Sequence, residues 1–508
     1  MQSNHFKSWV LEIVVFACGA LVMAFEIIGS RILSPFLGAS TYIWTSLIGI
    51  ILGSLSIGYW LGGRQADKTP EVRYLAGVLV TASTCVSVTA LGKELVLSTI
   101  AGLHLMLEFK ALIAAVILFA PASICLGFVA PFAARLRVTS TATSGSTVGR
   151  LYALSTVGSI AGTFAAGFLL IPFVGSVRTL YLIAASLLAL SALMFPMAIS
   201  RTGISAGVML IFAIGSTEGN AYLLRIQSDV YDIDTEYSRV QVFRTTEPNS
   251  GREMMAIATD PYFVQSAAFL DSDEPALDYG RFYHLIRYFK PDLRKTLIIG
   301  GAGYSFPKEY LRAYPKAEID VVEIDPRMTS IARRFFRLED DPRMAIFHED
   351  GRMFINRSPN GKYDAVLLDA FGSMFSVPTH LTTIEAVRHL NRILSDDGVL
   401  IFNLGSSISG PGSRFLNAEL ATYGQVFPMV QVFKVKQNYA DDRLQNVILV
   451  AFKAPSAADQ PPSDPFIAEM LGHRYSGNIA ITESVVTDDL APVEYYNSIA
   501  QNLYLADR

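Results

Sequence analysis

Four acids in the second half of the chain sit where chemistry on a bound small molecule would need them. VVEIDPRM ends an apolar run with Glu323 and Asp325, HEDGRMF places Asp350 and Gly351 after another, and YDAVLLDAFG ends a third with Asp369. Each run is short, apolar and rich in β-branched residues, so each reads as a strand. Their tips would gather at the carboxyl edge of one sheet, where open α/β sheets hold ligands. A fourth run, Thr296 to Ile299, ends in Gly300, Gly301, Ala302 and Gly303. Such small residues let backbone come close to a ligand. A carboxylate roughly 20 residues beyond a glycine turn suits two adjacent ribose hydroxyls, and that position is Glu323, with Asp325 beside it. Asp350 is placed to accept from an adenine amino group, and Asp369 to stand over a reacting centre. Any one of these acids is equally readable as a helix cap. Acids on three successive strand tips favour a nucleoside site.

The elements that must position them alternate. A helical pattern from Phe306 to Tyr314 leads to a strand over Ile319 to Ile324, then helix 327–336, strand 344–349, helix 351–356, strand 363–368, helix 383–394 and strand 398–403. Runs at 430–436 and 445–452 with no full helix between them predict a terminal antiparallel hairpin. The expected fold is an α/β Rossmann-like, mainly parallel seven-stranded sheet of the class I methyltransferase type. That is the plan of S-adenosylmethionine-binding transferases. Shorter alternating runs at 230–234, 239–244 and 254–258 predict a small antiparallel β unit in front of it.

Across 508 residues, 41 Lys and Arg against 45 Asp and Glu leave a net charge of −4. No basic run interleaved with aromatics appears, which argues against nucleic acid as a partner. Charged residues are scarce before about Thr217 and frequent after it. The expected organisation is a multi-span transmembrane domain (1–217), a linker from Ser216 to Leu224 with the small β unit (218–275), and the catalytic domain (276–508). Spans are predicted at 9–30, 42–62, 74–92, 110–130, 151–173 and 178–199. The run 203–216 is short for a crossing, and 93–108 reads as a surface helix or partial re-entry. Arginine and lysine favour the side carrying Lys7, Arg64, Lys68, Arg73, Arg135, Arg137, Arg150 and Arg201, which is expected to be cytoplasmic. Six or eight crossings would then leave the nucleoside domain in the cytoplasm, where adenosine cofactors are supplied. The expected location is a bacterial inner membrane. Gly158, Gly162 and Gly167 permit close helix packing. Glu12 and Glu26 are intramembrane acids, readable as functional or as structural partners. Cys18, Cys85 and Cys125 lack metal-ligand spacing, so neither a metal site nor a disulfide framework is expected.

The second half resembles the spermidine synthase (polyamine aminopropyltransferase) family, and the whole chain resembles its bacterial form with a preceding membrane region. TEYSRVQVF, FYHLIRYFKP, LIIGGAGYSFPKEYLR, VVEIDPRM, HEDGRMF, YDAVLLDAFG with PTHLTT, and TDDLAPVEYY carry the resemblance together. It implies that Glu323 holds the ribose, that Asp350 and Gly351 hold the adenine, and that Gly300, Gly301 and Gly303 lie near the sulfonium side chain. Asp369 and Tyr283 would bind and deprotonate an amine acceptor, with His284 and Gln265 lining the site. The departures concern charge. Gly303 and Gly372 stand where the family carries Asp, Leu285 where it carries Glu, and Ser238 where it carries Gln. The lost acids are those expected to hold ammonium groups, because a dication in a closed site needs paired anions. Asp488 and Asp489 are candidates to replace them. The expected co-substrate is therefore decarboxylated or intact S-adenosylmethionine. The expected partners are a small-molecule amine, the lipid bilayer and a second copy in a homodimer. A methyltransferase or sulfonium-cleaving enzyme is one alternative, and a transporter or sensor that binds the nucleoside without turnover is another.

Overall fold

The computed structural model describes residues 8–38, 40–103, 105–138, 140, 143–195, 201–261, 263–370, 377–454 and 462–506. They fall into two compact units, Met1–Gln227 and Ser228–Arg508. Gly372 and Lys7 lie outside the described residues.

The first unit is helical: α1 (Ser8–Leu37), α2 (Thr41–Lys68), α3 (Val72–Ala101), α4 (Leu107–Gly127), α5 (Val129–Arg137), α6 (Ser144–Ala165), α7 (Ser176–Met194) and α8 (Arg201–Ser228). With α4 and α5 taken as one, and α6 continued through a π turn to Phe173, seven of these are long and apolar enough to cross a membrane. Small residues set the closest approaches. A Cβ on Gly158 would lie 2.0 Å from the Phe16 carbonyl oxygen and one on Gly162 2.1 Å from that of Ala20, so only glycine lets α6 seat on α1. Gly167 faces open space and has no such part. Glu12 is an ion-pair centre, 3.2 Å from Arg137 and 2.9 Å from Arg150. Glu26 is buried in α1.

Three expectations about this unit change. The stretch 93–108 is no separate surface helix, because α3 continues through Ala101. Ser216 to Leu224 is helix rather than linker. The run 203–216 is the first half of the 28-residue α8. Arg178, near the start of α7, pairs with Glu218, past the middle of α8, at 3.0 Å. Among the described residues the candidate spans number seven by length and composition, where six or eight were expected.

The second unit opens with a four-stranded antiparallel sheet, β1 (Tyr231–Asp234), β2 (Arg239–Thr246), β3 (Glu253–Ala258) and β4 (Ser266–Phe269). The main sheet holds β5 (Lys295–Ile299), β6 (Glu318–Val322), β7 (Met344–Phe347), β8 (Tyr363–Leu368), β9 (Leu394–Ser406), β10 (Met429–Lys434) and β11 (Gln445–Phe452). Its order is β10-β11-β9-β8-β5-β6-β7. β10 and β11 pair antiparallel to their neighbours and the remaining pairs are parallel, as the hairpin reading required. Helices α9 (Ser305–Ala313), α10 (Pro326–Phe335), α11 (Gly351–Arg357), α12 (Ile384–Ile393) and α13 (Arg414–Gly424) link the strands. The period-2 pattern of the strands splits the core. On β5, Ile298 faces one apolar layer and Leu297 and Ile299 face the other. A sheet buried on both faces explains why its strands read as continuous apolar runs.

Candidate active site

The glycine turn and the strand tips are joined by backbone before any ligand is considered. Gly300 has φ +105°. A Cβ there would lie 2.1 Å from the Asp369 carbonyl oxygen, so the tips of β5 and β8 approach this closely only around glycine. Ala302 (φ 42°) and Tyr304 (φ 53°) are also left-handed, an unfavourable setting for residues with side chains. Two anchors hold the turn. The Tyr304 hydroxyl, fully buried, meets Thr329 Oγ1 at 2.7 Å. Glu323 Oε2 accepts from the amides of Gly301 (2.8 Å) and Ala302 (3.1 Å), while Oε1 accepts from Asp325 N (2.9 Å). Burial pushes the Glu323 carboxyl above its ordinary range, and these three amides pull it back down. Because the turn's N–H groups are given to Glu323, they do not form a phosphate cradle of the dinucleotide-binding kind.

The other acids take separate roles. Asp325 caps α10, accepting from Arg327 N at 2.9 Å. Asp350 caps α11 through Met353 N at 3.0 Å, and its second oxygen meets His380 Nε2 at 3.0 Å. Two of the tip acids thus do the work of helix caps. Gly351 packs against Ile299, with a Cβ there only 2.7 Å from that side chain.

Asp369 differs. It lines a cavity of about 60 Å3 together with Gln265, Ser266, Tyr279, Tyr283 and Gly300 to Ala302, and among the described residues it is the only acid in that lining. Asp369 is half-buried, and desolvation pushes its carboxyl up to about 6, against the pull of a hydrogen bond donated by Asn403 Nδ2 at 3.0 Å. The Tyr283 hydroxyl is buried beside it and makes no well-formed hydrogen bond. Burial and the Asp369 charge both hold that phenol well above its usual range, so it stays protonated as a donor. Tyr279 stands edge-on to Tyr283, ring centroids 5.9 Å apart, and its hydroxyl donates to the Gln265 carbonyl at 3.1 Å.

Three sequence candidates lie elsewhere. His284 turns away from the cavity into the apolar layer, with Nδ1 2.9 Å from the Tyr314 hydroxyl and Nε2 3.2 Å from Glu309. Successive residues of a helical turn point about 100° apart, and here Tyr283 enters the cavity while His284 does not. Asp488 is committed to Arg352 (2.9 Å) and Thr383 Oγ1 (2.6 Å). Asp489 is exposed, and neither it nor Asp488 lines the cavity. At Gly303, a Cβ would lie 2.7 Å from Ser266 Oγ and 3.1 Å from the Phe336 ring. The position is packed, not vacant.

Residues missed by the sequence reading complete the site. Asn403 donates to Asp369 and accepts from Asn446 Nδ2 at 3.0 Å. Its signal was an amide interrupting the apolar run of β9. Tyr237, in the turn between β1 and β2, has its phenol raised by partial burial, then by the charge of neighbouring Glu236, and then by those of Asp325, Asp350 and Glu323.

Residues 281–435 match a family model described as the spermine/spermidine synthase domain. A polyamine aminopropyltransferase of Vibrio vulnificus is 30% identical over 234 residues, spanning 45% of this chain and 75% of that protein. One from Clostridium acetobutylicum is 26% identical over 197 residues, 38% of this chain and 65% of that protein. A solved structure titled as a probable spermidine synthase from Corynebacterium glutamicum is 20% identical with a TM-score of 0.40, covering 52% of this chain and 92% of that one.

Proposed function

Because this chain belongs to the polyamine aminopropyltransferase family and is an enzyme of that kind, we propose that Asp369 is the base of an alkyl transfer from an adenosyl sulfonium to an amine, carried out by a membrane-anchored protein. The observation that carries the reading is the Asp369 carboxyl, set in a cavity between the glycine turn and Tyr283 and raised to about 6. A base tuned toward neutral pH is what proton removal from an amine requires.

The residues fit such a donor. The turn offers backbone and one methyl group to the cavity, and the inner space suits a short alkyl chain rather than a nucleoside. Glu323 spends three lone-pair positions on amides, which leaves one for a ribose hydroxyl. The sulfonium supplies an already activated carbon, so the protein has only to align and deprotonate. Tyr283 and Asp369 hold the acceptor amine and Asp369 takes its proton. The N–C bond forms as the C–S bond breaks, and methylthioadenosine leaves.

Decarboxylated S-adenosylmethionine is the donor in this reading. Gly303 favours a second one. With Ser266 and Phe336 filling that position, no carboxylate there opposes the carboxyl group of intact S-adenosylmethionine, and the transferred group would be 3-amino-3-carboxypropyl. Mass spectrometry of both products, with each donor supplied to the purified chain, decides. Methylthioadenosine with an aminopropylated amine supports the first reading, and an added carboxyl mass supports the second. S-adenosylhomocysteine would mean methyl transfer, and no product would mean binding without turnover.

The seven apolar helices would anchor the protein in the inner membrane. An odd count cannot place both the arginine-rich loops and the catalytic domain in the cytoplasm. Donor supply decides for the catalytic domain, since several of those arginines are neutralised by Glu12 and Asp67. A reporter fused after Arg508 should be active in the cytoplasm, and activity only on the far side would reverse the orientation.

A further inference from the structure

Beyond the Asp369 cavity, and sharing Ala276, Leu277 and Tyr279 with it, lies a larger one of about 580 Å3. The two spaces adjoin along Ala276, Leu277 and Tyr279, and Asn446, in the outer lining, is linked to Asp369 through Asn403. Much of the outer lining comes from the loop between β10 and β11, which lies beyond the residues matched to the family (281–435).

That loop is fixed at one residue. The Asp441 carbonyl accepts from Ile408 N (2.7 Å) and Ser409 N (2.9 Å), and its carboxylate takes Lys434 Nζ (2.7 Å) and the Tyr475 hydroxyl (2.8 Å). The next two residues, Asp442 and Arg443, are thereby held at the cavity wall. The Arg443 guanidinium stacks over the Tyr439 ring at 4.1 Å to its centroid. Stacking fixes the plane of the fork and leaves its edge free to donate two parallel hydrogen bonds to a carboxylate.

The remaining charges of the lining are already used. Asp278 pairs with Lys436, and Glu247 accepts from the amides of Asn249 and Ser250 in its own turn, which holds it at about 2. Among the described residues of the lining, Asp442 and Arg443 make no ion pair. One acid and one guanidinium in the same cavity wall offer the two charges that the head of an α-amino acid needs, ammonium to Asp442 and carboxylate to Arg443.

We propose that the acceptor is an α,ω-diamino acid, its head held by Asp442 and Arg443 and its terminal amine delivered to Asp369. The inference rests on the transfer reading above and names its substrate class. It also explains how a pocket without the family's ammonium anchors orients an amine: the far end carries the recognition.

The test compares L-ornithine with putrescine in the full detergent-solubilised chain. L-ornithine should have the higher kcat/KM. Arg443→Ala should lower the ornithine-to-putrescine ratio of kcat/KM about 10–100-fold, the loss of a charge-assisted pair, with Arg443→Lys between the two. Calorimetric binding of L-ornithine should weaken in step, a readout that needs no turnover. An unchanged ratio in Arg443→Ala, or ornithine binding indifferent to that change, overturns the proposal. Absence of transfer to either amine by the wild-type chain instead overturns the transfer reading, and the calorimetric comparison then decides the head-group site alone.

Discussion

Asp369→Asn should make the protein more stable and nearly inactive. Burial lifts the carboxyl from its ordinary 3.8 to about 6, about 3 kcal/mol against the ionised folded form at 1.36 kcal/mol per pH unit. Between about pH 4 and pH 6 the folded protein keeps a proton that the unfolded chain has lost. Stability therefore falls as pH rises through that window and stays low above it. The amide carries no such penalty. It can still accept from Asn403 and can donate toward the Tyr283 hydroxyl. A gain of about 1–3 kcal/mol above pH 6 is expected, fading to nothing below pH 4. In thermal denaturation that is about 2–4 °C per kcal/mol. Turnover should fall about 10²–10⁴-fold, the usual share of general-base catalysis. Wild-type kcat should rise with pH through a midpoint near 6 and level off above it, a limb absent in the variant. Wild-type turnover in Asp369→Asn, or a melting temperature that responds equally at pH 4 and pH 8, would refute the assignment of Asp369 as a buried base.

Asn403→Ala removes a donor that lowers the Asp369 carboxyl, so the acid limb of the kcat profile should move to higher pH. A profile that stays in place would show that Asn403 only packs. Glu323→Gln offers one oxygen where three amides now converge. Donor affinity by calorimetry should fall at least about tenfold, from hydrogen bonds to a charged acceptor worth about 1.5–3 kcal/mol each. Gly300→Ala puts a methyl group 2.1 Å from the Asp369 carbonyl at a positive φ. It should cost several kcal/mol and abolish donor binding, and near-normal denaturant stability would show that the strand tips part easily.

Much of this was legible in the chain. The central strands of the main sheet, β5 and β8, announced themselves because they are buried on both faces and read as apolar runs, and the edge strands β7 and β10 kept enough apolar residues to be read although they are only partly buried. The acids were harder. An acid that caps a helix and an acid that binds a ligand occupy the same place in sequence, directly after a strand, so Asp325 and Asp350 looked no different from Asp369. Only position relative to the cavity separates them. Helix α13 went unread because most of its length is buried, which blurs the polar face that periodicity relies on. β4 is four buried residues, too short to show alternation. The length of α8 was concealed by polar residues in its second half, Thr217 to Asn220, which look like a linker when no partner helix is in view.

The packing around Gly303 limits what that position can hold. An acid there would have to displace Ser266 Oγ, which accepts from the Gly303 amide at 3.3 Å, and shift the buried Phe336 ring. Neither neighbour can give way alone without leaving a polar group or a void. A single exchange to a larger residue is therefore penalised by shape before its charge can matter, and room for an acid would require compensating changes at two neighbours together.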